Sequence, residues 1–429
     1  MSNGFLNAQT FSNVMMVLLK NQLVWGKLVD GQFKNEVTDE NGLTTSIKAP
    51  PQFVAQNGAA LQAQRLLIGS RTVAVNEYKN VHINIGDLEY VQSFNDLMRN
   101  SAMMSAASTL AHAVDRSIAN KALEFPTMAG LVGLTIDSPA EFFPVHTRLM
   151  AQGVPNEQLS AVLAFVDGEK IRGSLVGGDI QQVNRTALER ARIPVMSEID
   201  PYATQNLPSY TNGDHTMSAG PAVKGANQNV NYKDVKAGMQ QTFVIDGLGN
   251  SKKVNAGETF VISGVKEYDW RNQRALTDDQ RFVVLPNPNT ADGSYTTSSS
   301  DGSVTVNIAP AIIVPGTSDG VDTVANSAFG TVSAVPADDA AITFDGAINT
   351  TYTPRVAFHK RALALVSAKL QRPMTGESAF TTDPQTGISI RYWRGSDIAT
   401  GAHIHRWDMI YGVINADRRL GARLYGSSA

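Results

Sequence analysis

Cysteine is absent from the 429 residues. Its absence excludes a disulfide framework, a zinc–thiolate site and a cysteine nucleophile, and with them the extracellular domains that disulfides hold together. Charge is sparse at 17 % and nearly balanced, with 36 basic residues against 39 acidic ones and a formal net charge of −3. A dedicated nucleic-acid binder would carry a strongly basic domain instead. Aromatic residues make up only 7 %. No run approaches the roughly 18–20 consecutive apolar residues of a membrane helix. The best candidate near the start, Val14 to Leu19, has no basic leader before it and no small-residue cleavage site after it. The expectation is a soluble product made in the cytoplasm.

What the chain does have is a large apolar reserve, 42 % of its residues. Its length sets a prior of roughly two to four domains. Charge is divided unevenly along it. Residues 1–202 hold 16 basic and 19 acidic groups, residues 203–352 hold 9 and 15, and residues 353–429 hold 11 and 5. The middle part is also rich in Gly, Ser, Thr, Asn and Asp, as in Thr290 to Ser303. This reads as an insertion inside an older frame. A structureless loop of that size is implausible in a compact protein, so the insertion should hold its own strands.

Local patterns predict the elements. Ser12 can cap a helix running to about Leu23, with Val14, Val17 and Leu18 on one side. Leu43 to Lys48 can pair with a later strand. Val73 and Val75, then Val81, Ile83 and Ile85, alternate around a turn at Glu77 to Asn80 and read as a hairpin. Gln52 to Ser70 looks like a long projecting arm. The clearest helix spans about Asn95 to Leu123, with Leu97, Met104, Leu110, Val114 and Ile118 near helical spacing. It would be about 40 Å long. Further helices are expected from Pro139 to Gln152, capped by Ser138, then at about 169–175 after a buried strand at Ala161 to Val166, and from Asp179 to Ala191. Short strands at Gln241–Ile245, Thr259–Ile262, Arg281–Leu285, Val304–Ile308 and Ile312–Val314 suggest a small β-barrel or sandwich. In a final long strand, His405, Trp407, Met409, Tyr411 and Val413 share a face.

Catalytic motifs are scarce. Gly247-Leu-Gly249 lacks the third glycine and the following helix of a dinucleotide site. Gly316-Thr-Ser318-Asp-Gly320 matches the nucleophile-elbow spacing, but Pro315 precedes it and the downstream stretch is a poor helix, so a flexible loop is the plainer reading. His403 and His405 project to one strand face and could bind zinc given a third ligand; a half-buried polar stripe is the alternative. Arg418, Arg419 and Arg423 could contact phosphate, against inter-subunit ion pairing or a solvated face. No carboxylate spacing demands an acid/base pair. The residues describe a large α+β chain with a projecting arm, a long spine helix and an inserted β domain, which suits an assembly protein rather than an enzyme.

Several segments then resemble the coat proteins of tailed bacteriophages of the P22 type. They are Leu18-Leu19-Lys20-Asn21-Gln22-Leu23-Val24-Trp25-Gly26-Lys27-Leu28-Val29, Ile47 to Val54 with Asn57-Gly58-Ala59, and Gly86-Asp87-Leu88 leading into Met104 to Ile118 with Val114-Asp115. Thr353 to Leu365 is the most specific piece, followed by Gly387 to Arg391 and Arg406 to Val413 in family order. Val254 to Val265 resembles the family's inserted β-barrel.

The resemblance implies an HK97-like phage capsid fold of the α+β class with a long spine helix, an extended β-hairpin arm and an inserted β-barrel domain. The implied division is an N-terminal arm at 1–40, an extended loop at 41–85, a peripheral domain with the spine helix at 86–155, an axial domain at 156–222 and 351–429, and the inserted domain at 223–350. It further implies a major capsid protein forming hexamers and pentamers of an icosahedral procapsid that later expands. A scaffolding protein, a portal and, in some phages, decoration proteins would be partners. Packaged double-stranded DNA would be contacted weakly, and no membrane is involved. The location would be the virion capsid, assembled in the host bacterial cytoplasm. No catalytic, cofactor-binding or metal residue is implied. Some family members cross-link an extended-loop lysine to a neighbour's asparagine; Lys48 and Lys79 are present here, and no such chemistry is expected of this subgroup. The alternative is an encapsulin-like nanocompartment shell, which shares the fold.

Overall fold

Segments far apart in sequence come together in two compact units. One comprises Met1–Ile47, Thr72–Lys121 and Leu363–Ile414; the other comprises Lys48–Arg71, Ala122–Ala362 and Asn415–Ala429. The computed structural model describes residues 8–31, 44–48, 53, 55, 70–85, 101–175, 195–226, 228, 238–316, 328–397 and 402–427. Most of the expected arm, the start of the spine helix before Ser101, the expected helix at Asp179 to Ala191 and the Ser318 loop lie outside the described residues.

In the first unit, helix α1 (Ala8–Gln22) buries Phe11, Met15 and Leu19 at a spacing of four. Ser12 therefore lies inside the helix and is buried, and it is no cap. Val17, expected on the buried side, is 60 % exposed. The reason is volume: Phe11, Met15 and Leu19 form a longer apolar stripe than Val14, Val17 and Leu18. Phe11 stacks on Tyr392 at 5.2 Å between ring centroids. Gln9 donates to the carbonyl of Phe380 at 3.1 Å, and Lys20 pairs with Asp383 at 3.1 Å.

The sheet beneath α1 runs Leu363–Ala368, Ala402–Asn415, Ser389–Asp397, Glu377–Thr382, with Glu77–Ile85 also on the Ala402–Asn415 strand. His405, Trp407, Met409 and Tyr411 are buried on the expected face. The expected hairpin around residues 77–80 does not form. Ser70–Ala74 pairs with Thr44–Lys48, whereas Glu77–Ile85 pairs antiparallel with the late strand, from Tyr411 opposite Glu77 to His403 opposite Ile85. Period two identifies a strand but not its partner. Gly412 sits where a Cβ would run into the carbonyl of Ala74, so only glycine allows this approach.

A short helix α2 (Trp25–Leu28) precedes the spine helix α3 (Ser101–Ala122). The buried stripe of α3 is Met103, Ala106, Ala107, Leu110, Ala111, Val114, Ile118 and Ala119. Met104, expected in it, is 53 % exposed, one position off the stripe.

In the second unit a mixed sheet orders Thr127–Ala129, Gly421–Leu424, Arg355–His359, Leu159–Leu163, Ile199–Ala203. Its outer pairs are parallel and its inner pairs antiparallel. Helix α4 (Phe143–Ala151) follows a 3-10 turn at Pro139–Phe142, and Ser138 makes no side-chain cap. Helix α5 (Phe165–Leu175) starts earlier than expected, with the Asp167 carboxylate accepting the Ala164 N–H at 3.1 Å. Phe142, Val145, Leu149 and Ile171 pack with Leu159, Leu163, Ala357 and Leu424.

The middle of the chain forms a closed barrel. Its order is Ile342–Phe344, Thr259–Asp269, Arg274–Val284, Val304–Ala309, Gln241–Asp246, Ala222–Val223. The two ends meet through a bridge between Ala222 and Ala341 and bonds from Val223 N to Ala340 O (3.1 Å) and Ile342 N to Pro221 O (2.9 Å). Closure leaves no free sheet edge there. Ile312 to Val314 is buried but is no ladder strand; Ile312 N donates to the Gln241 side chain at 2.9 Å and Ile313 N to Thr331 Oγ1 at 3.0 Å. The barrel interior centres on Phe260, whose ring lies 5.2 Å from Phe344, 5.6 Å from Phe282 and 6.4 Å from Phe243. Phe260→Ala should therefore lower stability by about 3–5 kcal/mol. A urea titration would show the midpoint falling; an unchanged midpoint would refute this account of the core.

Candidate functional site

The three arginines and His405 singled out in the sequence each have a structural partner within their own unit. Arg418 is buried and bonds Glu124 through Nε (2.9 Å) and Nη2 (2.6 Å), with Nη1 on the carbonyl of Gly238 (3.1 Å). Arg419 pairs with Asp417 at 2.9 Å. Arg423 is fully buried, donates to the Gly257 carbonyl at 2.7 Å and lies 5.1 Å from the Tyr210 ring centroid. The cluster expected to face phosphate, a partner subunit or solvent is thus turned inward. Arg71 joins it, donating to the carbonyls of Asn415 and Gly238. Burial, then the nearby Arg418, pull its guanidinium down to about 9.

His405 is buried and bonds Tyr392 at 2.6 Å, and burial pulls its pKa down to about 4. It is a neutral core histidine. Among the described residues no group of three metal-ligating side chains occurs. Gly247 and Gly249 both have positive φ and form a turn after the Gln241–Asp246 strand, with no helix following.

The structure adds clusters that sequence reading missed. Asp408 is enclosed between Arg391 (Nη2, 2.6 Å) and Arg406 (Nε, 2.5 Å), and both guanidiniums donate to Tyr78 Oη, at 3.2 and 3.0 Å. Asp167 pairs with Arg355, whose Nη2 lies 2.7 Å from Oδ1. In the spine helix, Asp115 accepts the backbone N–H groups of Val24 (2.9 Å) and Gly26 (3.1 Å). Burial pushes its carboxyl up to about 6 against those bonds. The segments at 18–29 and 104–118 that carry the family resemblance thus meet at this carboxylate. Ser117 donates to Glu77 at 2.6 Å and lies 3.1 Å from Tyr411 Oη, tying α3 to two strands with no histidine base in the set.

The most buried ion pair among the described residues sits at one end of the barrel. His215 Nε2 is 2.6 Å from Glu258 Oε2, with side chains 0 % and 1 % exposed. Glu258 Oε1 accepts the N–H groups of Gly213 (2.8 Å) and Asn255 (2.6 Å). His215 Nδ1 faces the Thr216 carbonyl at 2.9 Å, which only accepts, so Nδ1 carries a proton. Burial lowers the imidazole's pKa, but the hydrogen bond and charge of Glu258 outweigh it, and the net shift is upward. Both ring nitrogens of His215 and both carboxylate oxygens of Glu258 have partners. These clusters fasten distant strands.

Glu258→Gln should cost about 3–5 kcal/mol, because it leaves a buried imidazolium unpaired. With a raised native pKa, the pair's stabilisation is complete below the ordinary histidine range and is lost as pH rises through the native value. The wild-type urea midpoint should therefore drop on the alkaline side, and this drop should vanish in Glu258→Gln. Identical pH profiles would contradict the assignment.

A comparison with curated proteins gives no match. Similar solved structures include one of Mycobacterium phage Che8, at 12 % identity over 94 % of this chain and 90 % of that one, with a TM-score of 0.43. The capsid structure of Cyanophage P-SCSP1u is similar at 10 % identity over 95 % and 89 %, with a TM-score of 0.42. The CUS-3 coat protein I-domain matches at 27 % identity over 30 % of this chain and 96 % of its own, with a TM-score of 0.20. The family model described as P22 coat protein, gene protein 5, matches residues 2–426. The chain belongs to the P22 coat protein family.

Proposed function

We infer that this chain is the major capsid protein of a phage head. The observation that carries the reading is the family match across residues 2–426, nearly the whole chain. The described polar clusters support it, since they fasten strands and helices to one another.

The finer reading follows the family. The subunit self-assembles into hexamers and pentamers of an icosahedral procapsid, with a scaffolding protein and a portal as partners, decoration proteins where the phage encodes them, and double-stranded DNA enclosed. Assembly takes place in the host cytoplasm, and the product resides in the virion capsid. Residues 1–40 act as N-terminal arm, 41–85 as extended loop, 86–155 as peripheral domain, 156–222 and 351–429 as axial domain, and 223–350 as insertion. The closed barrel, which reaches back to Ala222 just ahead of 223–350, has a hydrophobic cluster of its own, which suits a module. A near-neutral total charge suits a container, because tight binding would hinder DNA release. The encapsulin-like shell is not favoured, since the family matched is a phage coat protein.

Negative-stain microscopy of cells expressing the chain, with and without the other head genes, tests this. Closed shells of uniform diameter are expected; monomers alone in both preparations would overturn the reading. Boiled, SDS-treated particles should run as a single band at the monomer mass, and a ladder would instead reveal cross-linking through a lysine such as Lys48 or Lys79.

A further inference from the structure

One buried carboxylate is left incompletely satisfied. Glu267, near the far end of the Thr259–Asp269 strand, is 4 % exposed, and its Oε2 has no hydrogen-bond partner among the described residues. The nearest cation is Arg148 of α4, with Nη1 3.6 Å away; the same nitrogen lies 2.7 Å from Asp278 Oδ2 on the adjacent strand. One guanidinium thus faces two carboxylates, one buried and one half-exposed.

The other charged groups nearby are committed. Arg281 is bonded to Asp345 at 2.8 and 3.0 Å, and Lys266 to Asp279 at 2.7 Å. Gln152, just after α4, is neutral and acts on Glu267 only by lowering its pKa slightly against the burial. The segment 328–333, bridged to Glu267 at Val332, contains no titratable side chain. At the hairpin tip, Asp269 accepts the N–H of Arg271 at 3.0 Å, and Arg271 packs so close to Gly153 that a Cβ there would come within 3.0 Å of Nε. Hairpin and helix therefore meet at the Glu267–Asp278–Arg148 cluster and at Arg271–Gly153.

We propose that Glu267, Asp278 and Arg148 form a proton-operated latch that seats the distal hairpin, residues 263–280, against the C-terminal end of α4. Protonated, Glu267 leaves Arg148 to Asp278 and the hairpin stays seated. Ionised, Glu267 competes for the same guanidinium and places a buried negative charge beside Asp278, which loosens the seat. Burial, with Asp278 adding to it and Arg148 opposing, pushes the Glu267 carboxyl up to about 7. The seated state binds the proton more tightly than the open one. The seat is thus firmest below the ordinary carboxylate range and weakens as pH rises towards about 7.

Hydrogen exchange by mass spectrometry on the purified full-length chain tests this, read over residues 263–280 and corrected for intrinsic base catalysis. Linkage predicts opening that increases about tenfold from pH 6 to pH 8 and then levels off. E267Q should abolish the pH dependence, and D278N should shrink it and move its plateau to lower pH. A flat wild-type profile, or an E267Q profile matching wild type, would overturn the latch. If E267Q does not fold, D278N carries the test, and a D278N profile identical to wild type overturns it as well.

Discussion

Backbone hydrogen bonding by the last part of the chain is the constraint on which everything else depends. Arg355–His359 and Gly421–Leu424 occupy inner positions of the mixed sheet, and Ala402–Asn415 receives Ser389–Asp397 on one side and Glu77–Ile85 on another. A buried strand without partners would leave a row of unsatisfied donors and acceptors. Neither sheet can therefore be completed until residues beyond 353 arrive. Such long-range pairing makes folding slow, because loop closure precedes the contacts that reward it.

The buried ion pairs follow from the same topology. Arg418 meets Glu124, Arg355 meets Asp167, and Arg391 and Arg406 enclose Asp408. Arg418–Glu124 and Arg355–Asp167 join segments distant in sequence, while Arg391, Arg406 and Asp408 share two adjacent strands. Pairs of this kind add little net stability over apolar side chains, yet they penalise wrong pairings by leaving a buried charge alone. In a subunit that has to take one shape before assembling, that discrimination is useful. The barrel is organised differently: its interior is aromatic and aliphatic, and the His215–Glu258 ion pair, 0 % and 1 % exposed, lies at one end.

What was legible in the sequence divides along a physical line. Side-chain periodicity and family-like segments disclosed the spine helix, the barrel strands at 241–246 and 304–309, and the buried face of the final long strand, because each depends on residues close together in the chain. They failed wherever the answer lay in a distant partner. The hairpin expected around residues 77–80 went to a strand more than 300 residues later. The arginines at 418 and 423 look like part of a surface patch until Glu124 and Tyr210 are brought beside them.

The sequence by itself determined the composition class, the α+β character, the helical and strand periods and the family, since these are written in local order and motif. Only the tertiary structure decided which stripe of α1 is buried, which strands pair, how the barrel closes through Ala222 and Ala341, and which carboxylate each arginine meets. Burial and pairing are properties of the whole packed chain, and no window of neighbouring residues contains them.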